Sequence, residues 1–298
     1  GSDVYVVNSL SNSILKYDID GFSILNEFST GNGTNPFKMV IADDRIYVSA
    51  YLTHQLLIFN LSGGLLENID LAVLEEGGKT FYPFPQGIAT WGDYVFIACM
   101  YSEENSAAKT MDPGRVAVYS IPDQNITGYI EASAQNTSAV NIDGDVLYVI
   151  SSGAYDPDSD GYDESGKIET LDLSAADLSN DLANPAALSL TTMTSGQSFG
   201  ALEINNDRAW ASDLGNGTLY SYDASATPWV EIANQSFPGS FGMAFVPDIV
   251  YDAARDELLA TEFNGNILYT LDPDSLEKLD EQRVSGNSMD AQFMLLVE

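Results

Sequence analysis

Ile46-Tyr47-Val48-Ser49-Ala50 decides the reading of this chain, because it returns in five altered copies: Val4-Tyr5-Val6-Val7-Asn8, Val95-Phe96-Ile97-Ala98-Cys99, Leu147-Tyr148-Val149-Ile150-Ser151, Ala209-Trp210-Ala211-Ser212-Asp213 and Leu258-Leu259-Ala260-Thr261-Glu262. Five of the six carry an aromatic residue at the second position. Short runs of β-branched and aromatic residues fit a pleated, packed strand. A following run closes each time on a small set of pairs: Tyr17-Asp18, Phe59-Asn60, Tyr119-Ser120, Leu171-Asp172, Tyr222-Asp223 and Leu271-Asp272. Asp and Asn there suit a tight turn, since their side chains can hydrogen-bond the backbone that follows. Units of about 40–50 residues built from such strands are the mark of propeller blades. No stretch of real length carries a helical period.

An inner strand precedes each copy after the first: Phe37-Lys38-Met39-Val40-Ile41, Gln86-Gly87-Ile88-Ala89-Thr90, Ser138-Ala139-Val140-Asn141-Ile142, Gly200-Ala201-Leu202-Glu203-Ile204 and Gly242-Met243-Ala244-Phe245. The first copy has none before it. A matching run, Asp290-Ala291-Gln292-Phe293-Met294-Leu295-Leu296, stands at the other end of the chain. Pairing it into blade one removes the open edge that an unclosed ring would expose. The expected fold is therefore all-β: a six-bladed β-propeller of four-stranded antiparallel blades, closed by the C-terminal strand, with residues 1–298 as one domain.

The second element and its continuation, Tyr5-Val6-Val7-Asn8 and Ser13-Ile14-Leu15-Lys16-Tyr17-Asp18, resemble the repeat of the YVTN-type propeller proteins. The resemblance runs over nearly the whole chain and implies an extracytoplasmic binding or scaffold protein: periplasmic, secreted or surface-anchored. Familiar members have seven blades, whereas six are counted here. Comparison with gluconolactonase-type lactonases finds no Glu/Asn/Asp metal set at matching positions. Comparison with the virginiamycin lyase type finds no catalytic histidine.

Charge narrows the partners. Acidic residues number 44 against 11 Lys plus Arg, a formal net charge of −33. Such a surface repels phosphate backbones and anionic lipid, so nucleic acid is not expected as a partner, and it favours cations. No apolar run approaches the roughly 18 residues of a transmembrane helix. The single Cys99 lies inside an apolar strand, excludes an intramolecular disulfide and reads as a buried, inert thiol.

Function should follow loop length on the face where the inner strands begin and the second-to-third connections open. Four of those connections are minimal. Two are long, Met100 to Gly114 and Ser152 to Gly166, and the lead-in Ala72 to Phe84 is extended as well. They are expected to build a lobe holding Tyr82, Tyr101, Glu103, Glu104, Lys109, Arg115 and Tyr155, unless the loops merely drift in length. Within it, Asp156-Pro157-Asp158-Ser159-Asp160-Gly161-Tyr162-Asp163-Glu164 spaces carboxylates at positions one, three and five with a glycine at six, as a calcium loop does. Lys167 occupies the twelfth position, where an EF-hand has an acid; Glu164 at the ninth resembles the hairpins of integrin-type propellers. The expected ligands are Asp156, Asp158, Asp160 and Glu164, and the expected role of calcium is structural. An acidic, solvated loop is the other reading.

A ring of equivalent positions at the channel mouth, Phe37, Gln86, Ser138, Phe199, Phe241 and Met289, offers an apolar floor fringed by amides and hydroxyls. It suits a neutral or cationic organic ligand with an apolar body, or else plugs the channel. The expected ligand-binding set is Phe37, Gln86, Tyr101, Tyr155, Phe199, Phe241 and Met289, with a small molecule or protein as partner. His54, the lone histidine, reads as a turn residue, so a histidine-dependent triad or zinc site is not expected. The alternative function is a calcium-dependent hydrolase or lyase acting on a lactone or saccharide, through acids such as Asp213 and Glu262.

Overall fold

The computed structural model describes residues 3–18, 21, 23–103, 111–156, 161–162, 165–182, 188–237, 246, 248–262 and 267–283, without the side chains of 111, 112, 155, 156, 161, 162 and 179. Antiparallel sheets succeed one another along the chain as the blades of a six-bladed β-propeller. Blade two runs Pro36–Ala42, Arg45–Ala50, Gln55–Asn60 and Leu65–Asp70 from axis to rim. Blade four runs Thr137–Asp143, Val146–Ser151, Lys167–Asp172 and Thr191–Ser195. Blade five runs Phe199–Asn205, Arg208–Asp213, Thr218–Asp223 and Val230–Ser236. Blade one shows Asp3–Asn8, Ser13–Asp18 and Ser23–Ser29. The strand expected to complete it, 290–296, lies outside the described residues.

Blade six corrects the expected position of one strand. Its second strand, Glu257–Glu262, pairs with Asp248–Asp252 as the inner strand; the apolar run 242–245 expected in that place lies outside the described residues. The turn between them decides this. Asp252 Oδ1 accepts from Ala254 N (2.9 Å) and Arg255 N (3.2 Å), and Asp256 takes the left-handed φ of 54° that brings the chain straight back. Apolar character alone had pointed to the wrong segment.

Alternation along each second strand fills the seams between blades. Ile46, Val48 and Ala50 pack toward blade one with Ile14 and Phe28. Tyr47, between them in sequence, packs toward blade three with Ile88, Val95, Ile97 and Tyr119. Equivalent clusters fill the seams three–four, four–five and five–six. Each large side chain buried this way contributes about 2–3 kcal/mol. Hydroxyls tie the same seams near the axis: Ser9 Oγ donates to Pro36 O (2.6 Å), Ser49 Oγ to Gln86 O (2.6 Å) and Ser152 Oγ to Phe199 O (2.7 Å). Cys99 has no exposed surface, and burial pushes its thiol up to about 12, which makes it inert. Among the described residues, no helix is long and apolar enough to cross a membrane.

Blade three is taller than the rest. Its strands Lys79–Trp91, Tyr94–Glu103, Met111–Ser120 and Asn125–Gln135 have 13, 10, 10 and 11 residues, against five to seven in blade two and blades four to six. A fifth strand, Leu74–Glu76, folds back on the inner one through Gly77 and Gly78, whose φ values of 58° and 77° fit a two-residue hairpin turn. Among the described residues the expected lobe is thus largely sheet: the residues flanking the insertion lengthen strands that project above the face.

Candidate functional site

The lead-in to blade three supplies the first wall of the site. From Phe81 to Gln86 burial alternates, with Phe81, Pro83 and Pro85 inward and Tyr82, Phe84 and Gln86 half-exposed on one face. Prolines are tolerated because Leu74–Glu76 pairs only with residues 79–81, so at Pro83 and Pro85 this strand is the axial edge of its blade, where a missing N–H on the open side breaks no ladder. The second-to-third turn of blade two packs against it and extends the same surface. Tyr51 N donates to Asn35 O (3.2 Å), and His54 turns the chain at a φ of 60°.

Across the two segments the rings form a continuous set. Phe37 and Tyr51 have centroids 6.0 Å apart, Tyr51 and Phe84 5.1 Å, His54 and Tyr82 5.5 Å, and His54 meets Phe84 edge-on at 4.8 Å. All five are half-buried, each keeping surface toward solvent. The imidazole is held in one orientation. Its Nδ1 is 2.7 Å from Pro83 O, an atom that only accepts, so Nδ1 carries the proton and Nε2 is the acceptor of the neutral ring. Beside it, Thr53 Oγ1 is buried with no hydrogen-bond partner among the described residues. Apolar ring surface with a few fixed polar atoms is the composition of a small-molecule site.

Two residues of the expected set meet in this place, Phe37 and Gln86, the latter flanking Phe84 on the same strand face. Tyr101 is elsewhere. It has no exposed surface, sits in the seam between blades two and three, donates from Oη to Ala72 O (3.1 Å) and lies under the Arg115 guanidinium at 5.7 Å. Phe199 is likewise fully buried, in the seam between blades four and five. Phe241, Met289, Glu104 and Lys109 lie outside the described residues. Glu103 closes the tip of the tall blade by pairing with Lys79 (3.1 Å).

The acids singled out for catalysis are committed to structure. Asp213 is 2% exposed; its Oδ1 accepts from Gly215 N (2.7 Å) and its Oδ2 faces the Gln197 amide at 3.0 Å. Glu262 is 1% exposed. In the blade-four loop the backbone pairs Tyr155 with Tyr162 and Asp156 with Gly161 as a short hairpin. Asp158, Asp160 and Glu164 lie outside the described residues, and the side chains of Tyr155 and Asp156 are not described.

Tyr51, His54 and Phe84 were not among the expected ligand contacts. The available signal was the alternation of Tyr82, Phe84 and Gln86 between prolines, which marks an edge strand with one face left for something other than core.

No family model and no curated protein matches the chain. Solved structures match its fold. A functionally unknown protein from Desulfotomaculum acetoxidans superposes with a TM-score of 0.65 at 10% identity, covering 98% of this chain and 84% of that one. Hydrazine synthase from Kuenenia stuttgartiensis gives 0.65 at 12%, covering 92% and 74%. Virginiamycin B lyase from Staphylococcus aureus gives 0.63 at 13%, covering 96% and 82%. At these identities the likeness is one of fold.

Proposed function

We propose that this chain is an extracytoplasmic binding propeller that takes a small organic ligand with an apolar body, neutral or cationic, against the wall formed by Phe37, Tyr51, His54, Tyr82 and Phe84. The observation that carries the reading is that wall: five half-exposed rings with a fixed imidazole, on the face where blade three is heightened. Stacking on ring faces rewards any flat or apolar ligand body, and the imidazole Nε2 and Gln86 amide supply orientation. Calcium, held by Asp156, Asp158, Asp160 and Glu164, orders the neighbouring blade-four loop. Asp213 and Glu262 take no part in this reading, because each is sealed into the fold.

The test is saturation-transfer NMR with a panel of aryl glycosides and aryl ammonium salts against wild type, Tyr51→Ala and Phe84→Ala. At least one compound is expected to bind wild type and to weaken tenfold or more in both variants while their circular dichroism is unchanged. A panel whose members bind all three proteins alike, or none of them, overturns the proposal.

A further inference from the structure

On the opposite face the connections from third to outer strand are short, with one exception. Blade four spends residues 173–190 between Asp172 and Thr191, whereas blade two needs only 61–64 and blade three only 121–124. The first part of the insertion makes a short helix, Leu178–Asp181, and Leu173, Leu178, Leu182 and Leu188 anchor it to the seam between blades three and four. Beside it lies a cleft of about 520 Å³, lined by residues of this insertion and of blades four and five.

Two aromatic rings stand among the small and aliphatic side chains of that cleft, and its lip is anionic. Tyr148 and Trp229 form the back, ring centroids 6.0 Å apart, and Met193 joins them; Trp229 N donates to Met193 O (2.8 Å) and ties the walls together. Asp172 and Asp181 stand at the lip. Each spends one oxygen on its own turn. Asp172 Oδ1 accepts from Ser174 N (2.9 Å) and Ala175 N (3.2 Å), and Asp181 Oδ2 accepts from Asp177 N (2.8 Å). The second oxygen of each has no hydrogen bond among the described residues. The bonds from Ser174 also hold the Asp172 carboxyl below the usual range, so it is charged at neutral pH.

We propose that this cleft is a second binding site, for a small organic cation whose apolar body lies against Tyr148, Trp229 and Met193 while its ammonium group meets Asp172 and Asp181. The volume is that of a small-molecule pocket, and a cation beside an indole and two carboxylates gains from both ring quadrupole and charge. Anions are repelled by the lip, and neutral molecules of the same shape lose the charged half of the recognition.

Benzyltrimethylammonium is the probe, with benzyl alcohol as its neutral counterpart. The protein has three tryptophans, so 5-fluorotryptophan labelling gives three ¹⁹F resonances, and Trp229→Phe identifies the one in the cleft. The cation is expected to move the Trp229 resonance saturably, leaving those of Trp91 and Trp210 in place, and to bind at least tenfold more weakly to Asp172→Asn/Asp181→Asn. Asparagine keeps the turn acceptors while removing the charges. Thr191→Lys, which sets an ammonium at the lip, is expected to weaken binding by a similar factor without touching either turn. Equal movement of all three resonances, no saturation, or unchanged affinity in the double variant and in Thr191→Lys overturns the proposal.

Discussion

The residues that end the third strands show how a single side chain stops one strand and starts the next. Asn60 Oδ1 accepts from Ser62 N (3.0 Å) and Gly64 N (2.9 Å), Asp223 Oδ1 from Ser225 N (3.0 Å), and Asp272 Oδ1 from Ser275 N (2.8 Å). These are Asx turns, and they were legible because the chemistry is local: a short acceptor followed two or three residues on by the amide it needs. Glu203 illustrates what was not legible. Its place in an inner strand was read correctly, but its environment comes from blade six, 48 residues away, where Tyr251 N approaches its Oε1 at 3.4 Å. Burial, with help from nearby Asp248 and Asp143, pushes its carboxyl up to about 7 from 4.5. The folded protein therefore keeps a proton there that the unfolded chain gives up. Stability from this group is full below pH 4.5 and is lost as pH rises toward 7. Discounted for its remaining solvent contact, the loss amounts to about 2 kcal/mol. Glu203→Gln removes it, so the urea midpoint of wild type should fall relative to the variant between those two pH values. A gap that stays constant across the range shows that Glu203 titrates as an ordinary surface acid.

At the scale of strands and loops, the repeat located second and third strands because both faces of each are buried and so demand a dense apolar run. Inner strands are less constrained on their axial side, and their signal is weaker, which is why the one in blade six was expected six residues too early. Close approach leaves its own mark: a Cβ on Gly87 would come 2.6 Å from Ala139 Cα in the next blade, so a glycine stands where those two inner strands touch. The height of blade three could not be read, since length in a loop and length in a strand look alike when residues continue to alternate. The blade-four hairpin leads to a prediction at this scale. If its acidic tip holds calcium, millimolar calcium should raise the thermal midpoint of wild type by several degrees, and Asp158→Ala/Asp160→Ala should abolish the rise. Sodium chloride at matched ionic strength is the control, because screening alone relieves a chain of net charge −33. A shift of the same size in the double variant assigns the effect to general screening and leaves the loop without a metal.

At the scale of the molecule, a propeller holds together only as a ring. Each blade buries its two faces against its neighbours, so no blade has a complete core of its own, and the clusters in the seams one–two through five–six are shared property. The remaining seam joins blade six to blade one, and blade one shows three strands among the described residues, with Asp3–Asn8 at its axial edge. That edge is the reason to expect the segment 290–296 there: an unpaired strand beside the axis leaves amides unsatisfied and a seam half-filled. Removing residues 290–298 should therefore act on the whole ring, lowering the thermal midpoint by about 10 °C or more, as several kcal/mol does in a chain of this size. Hydrogen exchange tells closure from general damage. Protection should fall first in Asp3–Asn8 and in the strands of blade six, while the seam between blades two and three, anchored by Tyr47 and Tyr119, keeps its slow amides. A truncated chain that melts like the full-length protein, with Asp3–Asn8 still protected, shows that the ring closes by some other segment.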